Sequence, residues 1–207
     1  MTIDEIPASR QVAKTRKAQG AAETRDRLLQ ATIHVIQTQG VERLTLDAVA
    51  KEAKTSKGGL LYHFPSKEAL MAGVIQCLMD EFDADIAEEL AKDTAPDSPG
   101  KWLRAYVKAL FNGKTLPTPL VASLISAMNV NAALLEPVKI QFETWQQKSL
   151  TPGLDPVRAS LVRFAADGFS DSELFGRALP NEDLRQQLLE MLLGIIQEAE
   201  SGNQGIT

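Results

Sequence analysis

Apolar residues recur along this chain with a helical period, and no stretch alternates apolar with polar residues long enough to suggest a sheet. From about Thr24 to Gln39, Leu29, Ile33 and Ile36 fall at i, i+4 and i+7, flanked by Leu28, Thr32 and Val35. Thr24 is expected to cap this helix, Asp26 suits its first turn, and Gly40 ends it. Thr45 is placed to cap a short helix with Leu46, Val49, Ala50 and Ala53 on one face. Thr55 or Ser56 caps the next, which runs to about Phe64. Two short helices joined by two or three residues must cross at a large angle, the helix-turn-helix arrangement.

Pro65-Ser66 closes that unit, and Ser66 is expected to cap a helix over 67–91 with the stripe Leu70, Val74, Leu78, Phe82, Ile86, Leu90. At ~1.5 Å per residue it spans roughly 37 Å and is expected to reach from the first domain into the second. Residues 94–100 read as a loop. Five more helices are predicted at about 100–113, 118–130, 133–150, 155–175 and 181–200, broken by Gly113, Pro117, Pro119, Pro152-Gly153 and Pro180. The fold class is therefore all-α with about nine helices. Residues 1–22 are expected to be a flexible basic arm, 23–67 the helix-turn-helix domain and 68–207 a second helical domain.

Charge sharpens the picture. Residues 1–67 hold eleven Lys/Arg against seven Asp/Glu, a net +4, which leaves −9 on the rest of a chain whose total is −5. A basic head on an acidic body suits a protein that offers one end to a polyanion. In the arm, Arg10, Lys14, Arg16 and Lys17 could follow phosphates or enter a minor groove. The lone Cys77 allows no intramolecular disulfide, and two histidines with one cysteine cannot compose a four-ligand His/Cys zinc site. No metal or cofactor is expected. With no apolar run long enough to cross a bilayer and no signal-peptide pattern, the chain is expected in the cytoplasm, away from membranes.

The segment Thr45 to Leu70, TLDAVAKEAKTSKGGLLYHFPSKEAL, closely resembles the DNA-binding signature of the TetR family of bacterial repressors. Its most specific part is Ser56-Lys57-Gly58 followed by Tyr62-His63-Phe64-Pro65-Ser66-Lys67, and with the preceding helix the resemblance covers about residues 24–70. It implies that Thr45, Thr55, Ser56, Lys57, Gly58, Gly59, Tyr62, His63 and Lys67 face duplex DNA. Physical reasons accompany each. Thr45 stands at a helix start, where a hydroxyl and free N–H groups can hold a phosphate. Thr55, Ser56 and Lys57 begin the helix that enters the major groove. Gly58 and Gly59 remove side chains where backbone must approach DNA, and Tyr62, His63 and Lys67 can bond phosphates at the groove edge. Leu46, Val49, Leu60 and Phe64 are expected to be core. The chain departs from the family twice: Lys54 stands where Gly is frequent in the turn, and Leu61 where Tyr is usual.

The resemblance also implies a homodimer joined through its last two helices and a small-molecule effector held in the second domain. Val157, Leu161, Phe164, Ala165 and Gly168 form one stripe of the 155–175 helix, and Leu184, Leu188, Met191, Leu192, Ile195 and Ala199 form an a/d-like seam in the last. These are the expected interface. Met79, Phe82, Trp102, Tyr106, Met128, Phe142 and Trp145 are candidate effector contacts, being bulky and apolar. Asp167, inside an apolar helix, is expected to be a buried, paired carboxylate. The whole reads as a repressor that leaves a palindromic operator when its effector binds. The alternative is an architectural DNA-binding dimer without a ligand. A helical enzyme is disfavoured, since no nucleophile–base constellation, HExxH or phosphate-cradling glycine loop is present.

Overall fold

A computed structural model describes residues 8–112, 118–177 and 180–201. Its described residues form nine α-helices: α1 (Ala8–Gln39), α2 (Leu46–Glu52), α3 (Lys57–His63), α4 (Lys67–Ala91), α5 (Lys101–Asn112), α6 (Thr118–Val130), α7 (Leu135–Ser149), α8 (Pro156–Leu174) and α9 (Glu182–Ser201). Single 3₁₀ turns at Val41–Arg43 and Ala132–Leu134 precede α2 and α7. No described helix is long and apolar enough to cross a membrane.

One expectation fails at the start. α1 begins at Ala8, not Thr24, so residues 8–22 of the expected arm are helical and residues 1–7 lie outside the described residues. Apolar periodicity detects a helix that buries a face. The segment AKTRKAQGAAE has no such stripe, yet Ala, Lys, Arg and Gln are good helix formers. Thr24 is accordingly inside the helix, its Oγ1 donating to the Gly20 carbonyl at 2.8 Å.

The chain divides into two compact units, the first ending at Val74 and the second beginning at Ile75. The expected boundary after Lys67 thus moves two turns into α4. In the first unit Leu28, Leu29, Val35, Ile36, Leu44, Val49, Leu60, Phe64, Leu70 and Val74 are all buried. Gly73 is packed closely: a Cβ there would lie 2.7 Å from Phe64 Cε1 and 2.8 Å from Leu29 Cδ2. A side chain on α4 at this position would collide with both α1 and the end of α3.

The second unit has two cores. One joins α5, α8 and α9 through Leu103, Val107, Phe111, Val162, Ala166, Leu189, Leu192 and Ile196, with Phe111 and Phe169 stacked 4.2 Å apart. The other surrounds Ile86, Tyr106 and Trp145. α8 is opened by Asp155, which accepts from the Arg158 N–H at 2.8 Å, and α9 by Asn181, which accepts from the Leu184 N–H at 2.9 Å. Arg185 of α9 pairs with Glu173 of α8 and donates to the Phe111 carbonyl of α5, tying the three helices together.

Candidate nucleic-acid interface

Side-chain caps set the starts of both short helices. Thr45 Oγ1 accepts from the Ala48 N–H at 3.1 Å and opens α2; Ser56 Oγ accepts from the Gly59 N–H at 3.0 Å and opens α3. Ser56 rather than Thr55 is therefore the cap of the second helix. Each hydroxyl spends an oxygen lone pair on its cap and keeps its own hydrogen to donate elsewhere. Between the helices, the Thr55 N–H returns to the Ala50 carbonyl at 2.9 Å, and Lys54 takes φ 52°. The turn is thus built as for glycine, with lysine accepting the left-handed conformation.

α3 has two unlike faces. Leu60 is wholly buried and Phe64, just past the helix, is buried beneath the Arg25 guanidinium, 5.1 Å from its ring centre. Opposite them Lys57, Gly58, Leu61 and Tyr62 are exposed, Tyr62 to 80%. His63 is half-buried, with its ring 5.1 Å from that of Tyr62. Among the described residues a Cβ on Gly58 would meet nothing within 4 Å, so their packing does not explain a glycine there. One on Gly59 would lie 3.0 Å from Thr55 Oγ1. Lys67 Nζ donates to the Val41 carbonyl at 2.9 Å, which ties the start of α4 to the turn before α2. Lys57 Nζ donates to Asp47 Oδ2 at 3.0 Å. Asp47 was not singled out by the sequence: ten residues separate the pair, and only the crossing of α2 and α3 brings them together.

In the second unit the candidate effector residues separate into two groups. Phe82, Trp102, Tyr106, Phe142 and Trp145 form one aromatic cluster. Trp102 stacks on Tyr106 at 5.2 Å, Phe82 meets Tyr106 and Trp145 edge-on at 5.4 and 5.1 Å, and Phe142 leans on Trp145 at 5.0 Å. Met79 is buried and Met128 half-buried, and neither is packed in the core around Tyr106 and Trp145. Polar groups line this cluster. Asp83 accepts from Trp145 Nε1 at 2.8 Å and Gln141 Nε2 at 2.9 Å. The Tyr106 hydroxyl donates to Asp167 Oδ1 at 2.5 Å, and Arg163 pairs with Asp167 Oδ2 at 3.3 Å. Burial pushes the Asp167 pKa up, against the lowering effect of the Tyr106 hydrogen bond and the Arg163 charge. Burial, then the neighbouring Asp167 charge, pushes the Tyr106 hydroxyl far up. Asp167 is thus paired, as expected. Asp83 and Arg163 were missed, because a charged residue in an amphipathic helix reads as solvated until its neighbours are known.

The expected interface residues also divide. Leu161, Phe164, Ala165 and Gly168 are exposed on α8, Leu161 to 59% and Phe164 to 61%. On α9, Leu192 is buried in the core of its own chain, and Leu188 and Ile195 pack partly against that core. Of the same seam, Leu184 and Met191 are exposed. One apolar stripe on a helix does not say whether its own chain or another covers it.

Sequence models of known families match both units. The model for bacterial regulatory proteins of the tetR family matches residues 28–74, and that for the tetracyclin repressor-like C-terminal domain matches 100–197. The HTH-type transcriptional regulator SrpR of Pseudomonas putida is 31% identical over 70 residues, 34% of this chain and 33% of its own. The chain spans about a third to a half of the length of the curated relatives it matches. The crystal structure of a transcriptional regulator from Rhodococcus sp. Rha1 shares the fold, with TM-score 0.62 and 24% identity over 85% of this chain and 97% of that one. The multidrug binding protein EbrR in complex with malachite green does so too, with TM-score 0.58 and 21% identity over 83% and 97%. With the signature helices and the second helical unit each matched by its own model, the chain belongs to the TetR family of bacterial regulatory proteins.

Proposed function

We propose that this chain is a sequence-specific DNA-binding transcriptional regulator, a repressor released from a palindromic operator by a small-molecule effector. The observation that carries the reading is the exposed face of α3, where Lys57, Gly58 and Tyr62 stand clear of a helix locked from behind by Leu60 and Phe64. A rigid short helix with a glycine on its outer face and donors around it suits entry into the major groove. Thr45, Thr55, Ser56, His63 and Lys67 flank that face and would supply phosphate contacts, which fix register and add affinity without sequence choice.

The protein works as a homodimer in this reading. Val157, Leu161 and Phe164 of α8 and Leu184 and Met191 of α9 leave large apolar surface exposed on one chain, and a second copy would cover it. Two copies of α3 about a two-fold axis read half-sites about one DNA turn apart. The aromatic cluster of the second unit is the proposed effector site, suited to a bulky, ring-bearing molecule that stacks or wedges among Phe82, Trp102, Phe142 and Trp145. EbrR has been seen with malachite green and with imidazole, and a regulator from Saccharomonospora viridis with choline. α4 runs from the first unit into the second, so a ligand that favours one α4 state over another alters operator affinity. A hundredfold release needs only about 2.7 kcal/mol of coupling.

Footprinting of the purified protein on the region upstream of its own gene tests the reading. Wild-type protein is expected to protect a palindrome, while folded Lys57→Ala and Tyr62→Ala variants lose at least tenfold in affinity. Unchanged binding by both variants would sink it. Sedimentation of Leu161→Asp, expected to be monomeric, checks the dimer face.

A further inference from the structure

Resting on the DNA-binding reading above, we infer that Asp47 is a specificity-determining residue, which withholds Lys57 from indiscriminate contact with phosphate. Asp47 lies in the first turn of α2 and Lys57 opens α3, and their side chains meet at 3.0 Å on an exposed surface, 72% and 55% accessible. The recognition helix therefore offers DNA a neutral pair where the sequence alone displays a free cation.

The consequence depends on what the duplex presents. A phosphate oxygen taken by Lys57 lies within about 6 Å of the Asp47 carboxylate, well inside the screening length of about 10 Å at 0.1 M salt. Such a contact must outbid an existing ion pair and bring two anions together. Because the pair is neutral beforehand, it also releases few counterions, the main source of affinity for arbitrary DNA. A base edge imposes less. Guanine O6 and N7 can accept from a lysine without carrying a phosphate's charge, and cytosine N4 can donate to a carboxylate. Asp47 thus weakens binding everywhere, and weakens it most where only phosphate is on offer.

The test is a double-mutant cycle on the full-length protein, with a random-sequence 30-base-pair duplex and a duplex enriched by in vitro selection as probes. Asp47→Asn is expected to tighten binding to the random duplex about three- to tenfold at 0.1 M salt. Its log–log salt slope should steepen by about 0.9, one phosphate's worth. The selected duplex should gain less, so discrimination shrinks. Asp47→Glu, which keeps the charge, stays near wild type, and in a Lys57→Ala background Asp47→Asn changes affinity less than twofold. Weaker binding by Asp47→Asn overturns the inference, as does no change, or equal tightening without Lys57. If wild-type protein binds neither duplex, the DNA-binding reading itself fails; if it binds and Asp47→Asn is neutral, only the role of Asp47 does.

Discussion

Arg104 grips Asp93 with two parallel hydrogen bonds, Nε to Oδ2 and Nη2 to Oδ1, each 2.9 Å long. Its remaining nitrogen pairs with Glu200 Oε1 at 2.7 Å, so one guanidinium joins the loop after α4, the start of α5 and the end of α9. Ser98 and the Gly100 N–H also donate to Glu200. The hydrogen bond from Arg104 holds the Asp93 pKa below the usual carboxylate range. Burial acts to raise Glu200, but its hydrogen bonds from Ser98, Arg104 and Gly100 lower it on balance. Both folded-state values lie below the unfolded ones, so this stabilisation is complete above about pH 4.5 and is lost as pH falls through the lowered values. Arg104→Gln is expected to cost about 3 kcal/mol at pH 7, since it removes the cation from between two partly buried carboxylates, Asp93 and Glu200. Urea denaturation at pH 7 and pH 3.5 checks this: the deficit should narrow in acid, as the two carboxylates become protonated.

Gly58 separates stability from function. No described residue lies within 4 Å of a Cβ at this position, and glycine inside a helix is unfavourable by about 0.5–1 kcal/mol relative to alanine. Gly58→Ala should therefore raise the melting temperature while lowering operator affinity at least tenfold. An alanine variant that binds DNA as well as the parent would show that backbone at this point does not approach the duplex.

Lys54 invites the reverse exchange. Its φ of 52° strains an L-residue, while glycine adopts it freely but adds disorder to the unfolded chain. Lys54→Gly is expected to stabilise by about 0.5 kcal/mol net. A drop in the denaturation midpoint would show that the lysine side chain contributes something the turn geometry does not reveal.

Gly73→Ala should be destabilising by about 1–3 kcal/mol, because its methyl would press on Phe64 and Leu29, both buried. Chemical denaturation measures the loss. A neutral result would mean that the Phe64 ring can shift aside.

The readable parts of this chain were those in which burial is periodic. Leu29, Val49, Leu60, Leu70 and Val74 announced their helices and their places in the first core, and Thr45 and the Lys54 turn behaved as local chemistry requires. What escaped was whatever depends on a second element. The helical stretch from Ala8 to Ala22 shows no apolar stripe to detect. Leu192 could not reveal which neighbour covers it. The pairings of Lys57 with Asp47 and of Asp83 with Trp145 join residues that only the fold brings into reach. Lys67 was legible as a cation, but its bond to the Val41 carbonyl was not.

Trp102 and Trp145 are the chain's two indoles, and both flank Tyr106, with ring centres 5.2 and 5.9 Å away. Ultraviolet emission from this protein therefore originates in one small neighbourhood of the second unit, while α3 contributes only Tyr62. A compound that enters among these rings would quench or shift that light directly. Because both indoles belong to the second unit and α3 to the first, the same light tells which of the two units an added titrant disturbs.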